Sequence, residues 1–131
     1  MVPEENEQVN GGQLSPITRA GDFLFLAPRC GRWNRDTGER NVTIETQTVQ
    51  ALKKMARFLE EAGASFDDIV QVNVLLANKE NMKAMERSYT EFFKDKPNKN
   101  HARYVIVTDL PDKDMMILMG SIAYHPRQTT P

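Results

Sequence analysis

Cysteine is almost absent from the sequence, in which Cys30 is the one thiol among 131 residues. A single cysteine excludes an internal disulfide framework and a zinc site built from several thiolates. The two histidines, His101 and His125, have no acidic cluster at ligand spacing beside them. We therefore predict no metal site and no cofactor. A lone thiol also suits a reducing compartment, and we expect a cytoplasmic protein.

An excess of charge of either sign is also lacking, since 17 Lys and Arg face 18 Asp and Glu, for a net charge of −1. Dedicated nucleic-acid binders usually carry a clear basic excess, so we expect no nucleic-acid partner. No apolar run approaches the roughly 20 residues that cross a bilayer, so we expect no membrane partner either. The first twelve residues are polar and acidic, unlike a secretory signal.

The length favours one domain with a core that buries roughly two-thirds of the unfolded surface. We predict a disordered tail over residues 1–12, a single domain over 13–124 and a second tail over 125–131. The patterning predicts the order strand, strand, helix, strand, helix, strand, strand. The first helix is expected over about 43–62, capped by Thr43 and ended by Gly63. The second is expected over about 80–94 and is stopped by Pro97.

This order predicts an α+β fold in which two helices cover one face of a mixed sheet. The segment MMILM (115–119) is apolar at every position, so a strand there requires cover on both faces. Two helices can cover one face only. We therefore expect a second subunit on the other face, and hence a homo-oligomer.

Several segments together resemble the Rid family, also called YjgF or UK114, whose best-known members are imine/enamine deaminases. The segments are TGE (37–39), ETQTVQALKKMARFLEEAGASFDDIVQVNVLL (45–76), YTEFF (89–93), AR (102–103) and a final IAY. The resemblance covers residues 14–124. It implies a chorismate-mutase-like (YjgF-like) fold assembled as a trimer, with three clefts between subunits.

The resemblance also implies site residues, position by position. Arg103 occupies the place of the arginine that holds a substrate carboxylate in the family. The family's last-strand glutamates are replaced by Leu118 and Gly120, and no shift of alignment restores an acid. A tyrosine near the start of the chain becomes Leu14. A Ser-Gly-Gln segment becomes Ala27-Pro28-Arg29, and a helix asparagine becomes Glu86.

From the residues alone, Arg103 is either a solvated residue at a strand end or an anion-binding residue. The resemblance favours anion binding, which the planar set of guanidinium donors can provide. We expect further substrate contacts at Arg29, Ala27, Pro28, Leu14 and Leu118. Glu86 and His101 are the candidate proton carriers. Asp109 and Asp114 are further acids, and each of the three acids is more readily interpreted as a solvated surface residue.

Three features of the segment APRCGRW (27–33) stay open. Arg29 as a second cation would suit a dianionic ligand, and Arg29 and Arg32 could activate the Cys30 thiol. The plainer interpretation of Cys30 is a small buried hydrophobe. Trp33 is either a lid or loop packing.

The resemblance implies a hydrolytic deaminase that acts on a reactive imine or enamine bearing a carboxylate, in metabolite damage control. The substrate would resemble 2-iminobutanoate or 2-iminopropanoate, or be a larger unsaturated amino acid. The alternative is a non-catalytic trimer that binds a small carboxylate metabolite in its clefts. A third interpretation, RNA cleavage, is disfavoured by the even charge.

Overall fold

The computed structural model describes residues 16–98 and 100–127, which form one five-stranded sheet with two helices on one face. The predicted α+β fold class is confirmed. The elements, in chain order, are β1 (Ile17–Ala20), β2 (Phe23–Cys30), α1 (Ile44–Glu61), β3 (Ile69–Leu76), α2 (Met82–Phe93), β4 (Ala102–Val107) and β5 (Ile117–Tyr124). Neither helix is long and apolar enough to cross a bilayer. The predicted tail over 1–12 and Leu14 lie outside the described residues.

The sheet order is β1-β2-β5-β3-β4, and all neighbours are antiparallel except β3 and β4. Helix α2 is the crossover between those two parallel strands, as such a connection requires. In the parallel register Arg103 lies opposite Val72, and Val105 opposite Val74. Because paired residues share a face, Arg103 points to the face on which α2 packs.

Helix α1 begins where the sequence predicts, with the Thr43 side chain accepting a hydrogen bond from Thr46 N. It ends before Gly63, whose φ of +83° lies in the left-handed region that glycine adopts without a Cβ clash. Its predicted apolar stripe is buried, including Leu52, Met55 and Leu59. In α2 the buried residues are Met85, Tyr89 and Phe93, spaced four apart as a helix face requires.

The last strand starts at residue 117, two residues later than the apolar segment MMILM (115–119) suggests. Met115 and Met116 are half-buried and precede β5, which begins at Ile117. The reason is the buried Gln47 side chain of α1, whose Oε1 accepts a hydrogen bond from Met116 N at 2.9 Å. That amide therefore bonds to a helix side chain instead of a neighbouring strand.

The sheet face opposite the helices carries large apolar side chains that remain accessible in the protomer. Phe25 is 44% exposed and Ile106 48% exposed, and the group also contains Phe23, Tyr104 and Tyr124. The Phe23 and Tyr124 rings contact each other edge to face, 5.3 Å apart. The expectation that the two helices leave one face of the sheet uncovered is therefore confirmed.

Candidate functional site

Arg103 lies in the edge strand β4, and its guanidinium packs beneath helix α2. Its Nη2 donates to Glu86 Oε2 at 2.6 Å, and Nη1 lies 3.9 Å from Met85 Sδ. The guanidinium carbon stands 4.5 Å from the centre of the Tyr89 ring, in cation–π range. The side chain is 22% exposed, so the cation is partly desolvated yet accessible from solvent.

Glu86 is the acid of this site, although the sequence favours a solvated surface role for it. The structure brings Glu86 into an ion pair with Arg103, while 39% of its side chain stays exposed. The two residues are 17 positions apart along the chain. They meet because α2 crosses over from β3 to the parallel strand β4, a contact that helical spacing alone does not reveal.

Tyr89 and His101 form a second polar pair beside Arg103. Tyr89 Oη and His101 Nε2 are 2.6 Å apart, and the His101 ring lies 4.9 Å from the Phe93 ring. Burial raises the pKa of the Tyr89 hydroxyl, so the phenol stays neutral. Burial first, and the charge of Arg103 second, lower the pKa of His101. A neutral imidazole bonded to a neutral phenol therefore lies next to the ion pair at neutral pH.

These groups share one cavity of about 420 Å³ between α2 and the start of β4. That volume lies in the range of small-molecule sites, which are mostly apolar with a few convergent polar groups. Its walls combine three rings with two cations and one acid. The lining residues are Glu86, Tyr89, Thr90, Phe93, Lys94, His101 and Arg103.

The predicted contact segment Ala27-Pro28-Arg29 lies elsewhere in the protomer. The pairing of β2 with β5 shifts between Leu26 and Arg29, and the Arg29 guanidinium stacks over the Phe58 ring of α1 at 5.6 Å. Strands β2 and β4 are separated by β5 and β3, a distance of about 14 Å across the sheet. Within one protomer, Arg29 is therefore not beside Arg103.

The two positions that lack the family glutamates lie on β5. Leu118 pairs with Leu75 and Cys30, on the sheet face away from the helices. At Gly120 an added Cβ would lie 2.7 Å from Leu26 O and 3.1 Å from Pro28 N. Because the irregular backbone of β2 fills that space, no larger side chain fits at residue 120 without a shift of β2.

Cys30 lies outside the cavity, at the end of β2, and is partly buried. Burial opposes ionisation, but hydrogen bonds to Arg32 and the charge of Lys54 outweigh it and lower the pKa of the thiol. Of the two arginines considered for this thiol, Arg32 is therefore the one that lies beside it. Arg29 instead packs on Phe58.

The remaining candidates lie away from the cavity. Asp114 forms ion pairs with Arg32, at 3.0 Å, and with Arg40. Trp33 is half exposed, and its backbone pairs with that of Arg40 in an isolated β-bridge. The Arg40 guanidinium lies over the Trp33 ring at 5.6 Å, so packing within this loop explains the position of Trp33 in the protomer. Asp109 is exposed and lines a different depression. The described residues contain no group of three His, Cys, Asp or Glu that could hold a metal ion.

A mixed five-stranded sheet, two helices on one face and a cavity at the first residues of the parallel edge strand define an α+β protein of the YjgF type. The sequence model of the family described as Endoribonuclease L-PSP matches residues 5–125. The chain therefore belongs to this family, which is also known by the names YjgF, RutC and Rid.

Relatives agree with this assignment. A RutC family protein of Pyrococcus abyssi is 34% identical over 115 residues, covering 86% of this chain and 87% of that protein. Reactive Intermediate Deaminase A of Arabidopsis thaliana is 27% identical over 93 residues, 71% of this chain and 50% of that protein. The crystal structure of the Escherichia coli YjgF gene product superposes with a TM-score of 0.78 at 23% identity, covering 92% and 94% of the two chains.

Proposed function

We propose that the protein is a hydrolytic deaminase of a small, reactive imine or enamine that carries a carboxylate. The observation that carries the proposal is the partly buried Arg103 guanidinium, which lines a cavity of about 420 Å³ with an acid and a neutral imidazole beside it. The similarity to a protein named Reactive Intermediate Deaminase supports the same chemistry.

The reaction needs few groups. Water adds to the carbon of the C=N bond, both of its protons move in turn from the oxygen to the nitrogen, and ammonia leaves as the C=O bond forms. Arg103 binds the substrate carboxylate with a charge-assisted hydrogen bond from Nη1, while Nη2 stays bonded to Glu86. Glu86, next to Arg103, moves the proton in place of the missing strand glutamates, and His101 is the second candidate carrier.

We propose further that the cleft is completed between subunits of a homotrimer. Within a protomer the Ala27-Pro28-Arg29 segment and Arg103 are three strands apart, so both can line one site only if neighbouring subunits contribute them. Leu118 faces the same uncovered side of the sheet as Phe25 and Ile122, where a neighbour would pack.

The test is ammonia release from 2-iminobutanoate and 2-iminopropanoate, generated in the assay by a dehydratase or an amino-acid oxidase. Arg103→Ala should lower kcat/KM at least about tenfold, because a hydrogen bond to a charged group contributes roughly 1.5–3 kcal/mol. The control Arg87→Ala removes an exposed arginine of α2 that does not line the cavity. Its rate should equal that of the wild type.

Release at the spontaneous rate with the wild type and with both variants would refute deamination of these imines. Saturable carboxylate binding without release would then favour the non-catalytic alternative. Release that is insensitive to Arg103→Ala would refute the role of this arginine.

A further inference from the structure

The cavity carries a matched pair of opposite charges, not an isolated cation. Arg103 Nη2 is already bonded to Glu86 Oε2 at 2.6 Å. Lys94, at the rim, is paired with Glu91 at 2.7 Å. Tyr89 and His101 complete the titratable groups of the wall, and both are neutral at neutral pH for the reasons given above. The wall therefore offers one positive and one negative group side by side, with almost no net charge.

A ligand that carries only a carboxylate fits this pair poorly. It would place a second anion on a guanidinium that already holds Glu86, in a site where the Arg103 and Glu86 side chains are partly desolvated, at 22% and 39% exposure. Like charges in a partly desolvated site repel strongly, and such juxtapositions are a common means of rejecting a ligand. The ligand would have to displace Glu86 or accept its repulsion.

A ligand with a cationic nitrogen next to its carboxylate satisfies both groups at once. Of the described residues, only the Met85 thioether lies within reach of Arg103 Nη1, at 3.9 Å, and sulfur is a weak acceptor. A carboxylate can therefore replace that contact at low cost. The adjacent nitrogen would then donate to the Glu86 carboxylate, which keeps its partner Arg103.

We infer that Glu86 is a specificity-determining residue that makes this cavity select ligands in which a protonated nitrogen stands next to a carboxylate. The inference rests on the proposed function and narrows its substrate to the protonated iminium form of a 2-imino acid, or to a zwitterion of the same shape. Hydrolysis of the iminium balances as R–C(=NH₂⁺)–COO⁻ plus water giving R–CO–COO⁻ plus NH₄⁺. The ion pair would stabilise the charged nitrogen until it leaves.

The test compares two stable probes of the same size, 2-aminobutanoate, which is zwitterionic, and 2-hydroxybutanoate, which carries the carboxylate alone. Calorimetric titration of the full chain at pH 7.5 should give a Kd for the hydroxy acid at least about tenfold weaker than for the amino acid. In Glu86→Gln the ratio of the two Kd values should fall towards one, chiefly because the hydroxy acid binds to this variant more tightly than to the wild type.

Two variants serve as references. Glu80→Gln removes an exposed acid of the turn before α2 and should keep the wild-type ratio. Arg103→Ala should weaken both probes. Circular dichroism of each variant establishes that it is folded before its titration is interpreted.

Equal binding of the two probes to the wild type, tighter binding of the hydroxy acid, or an unchanged ratio in Glu86→Gln would each overturn the inference. So would the absence of binding of either probe up to about 10 mM. These outcomes do not depend on turnover. Selective binding without ammonia release would refute the proposed function alone, and release without selectivity would refute this inference alone.

Discussion

Arg103 is a side chain whose position is fixed by its neighbours in the folded protein. Tyr89 presents its ring face to the guanidinium, Glu86 accepts one of its hydrogen bonds, and the strand backbone fixes the start of the side chain. A lysine cannot reproduce this arrangement, because it lacks the planar fork and stacks less well on a ring. The cost of ordering the arginine is therefore met on folding, before any ligand binds.

A pH prediction belongs to His101, which faces Tyr89, Phe93 and the Arg103 cation. The pKa of His101 is lowered in the folded protein. At pH values between the folded and the unfolded pKa, His101 is therefore protonated in the unfolded chain and neutral in the folded one. Stability contributed by the neutral ring is therefore complete above about pH 6.5 and is lost as pH falls. Urea unfolding at pH 7.5 and pH 5 should show a smaller loss of unfolding free energy in His101→Gln than in the wild type.

The reference for this experiment is His125→Gln. His125 lies outside the cavity, with Nδ1 3.3 Å from Asp68, so this variant leaves the contacts of His101 in place. If the wild type and His101→Gln lose the same unfolding free energy between pH 7.5 and pH 5, the pH dependence does not come from His101.

At the scale of elements, one buried amide joins α1 to two loops at the same end of the sheet, the loop after β2 and the loop before β5. Gln47 is 1% exposed; its Nε2 donates to Asn41 O at 3.0 Å and to Asp114 O at 2.9 Å, and its Oε1 accepts from Met116 N. The loop after β2 approaches the same turn of α1, since a Cβ at Gly31 would lie 2.0 Å from Gln47 O. Only glycine permits that approach.

Gln47→Met should lower the free energy of unfolding by about 3 kcal/mol, because it keeps the side-chain length but leaves three buried backbone groups without partners. Chemical denaturation monitored by circular dichroism measures the change. The matched variant Gln50→Met, one turn along α1 and half-buried, should change stability by less than about 0.5 kcal/mol. Equal effects of the two substitutions would contradict the bridging role of Gln47.

At the scale of the molecule, the face of the sheet away from the helices dominates. Phe25, Ile106 and Tyr124 are each between 44% and 48% exposed on that one face. A contiguous apolar surface of this kind marks an interaction site in a soluble protein, and self-association is its simplest use. The even charge of the chain offers little repulsion against it.

We predict that the 14.9 kDa chain sediments at about three times its own mass. Phe25→Glu should dissociate the assembly, because it places a charge in the centre of the contact. Val42→Glu is the matched control, since Val42 is 73% exposed in the loop before α1 and away from this face. A monomeric wild type, or a trimer that persists in Phe25→Glu, would contradict the prediction.

The sequence by itself determined the order of the elements, both helix faces, the Thr43 cap and the uncovered side of the sheet. These follow from periodicity and turn chemistry, which are local properties of the chain. Resemblance added the family and singled out Arg103. Only the tertiary structure decided that Glu86 is its partner, that Tyr89 and His101 adjoin them, and that Arg29 lies three strands away. These contacts depend on the parallel crossover through α2 and on the irregular end of β2, and neither leaves a local pattern in the sequence.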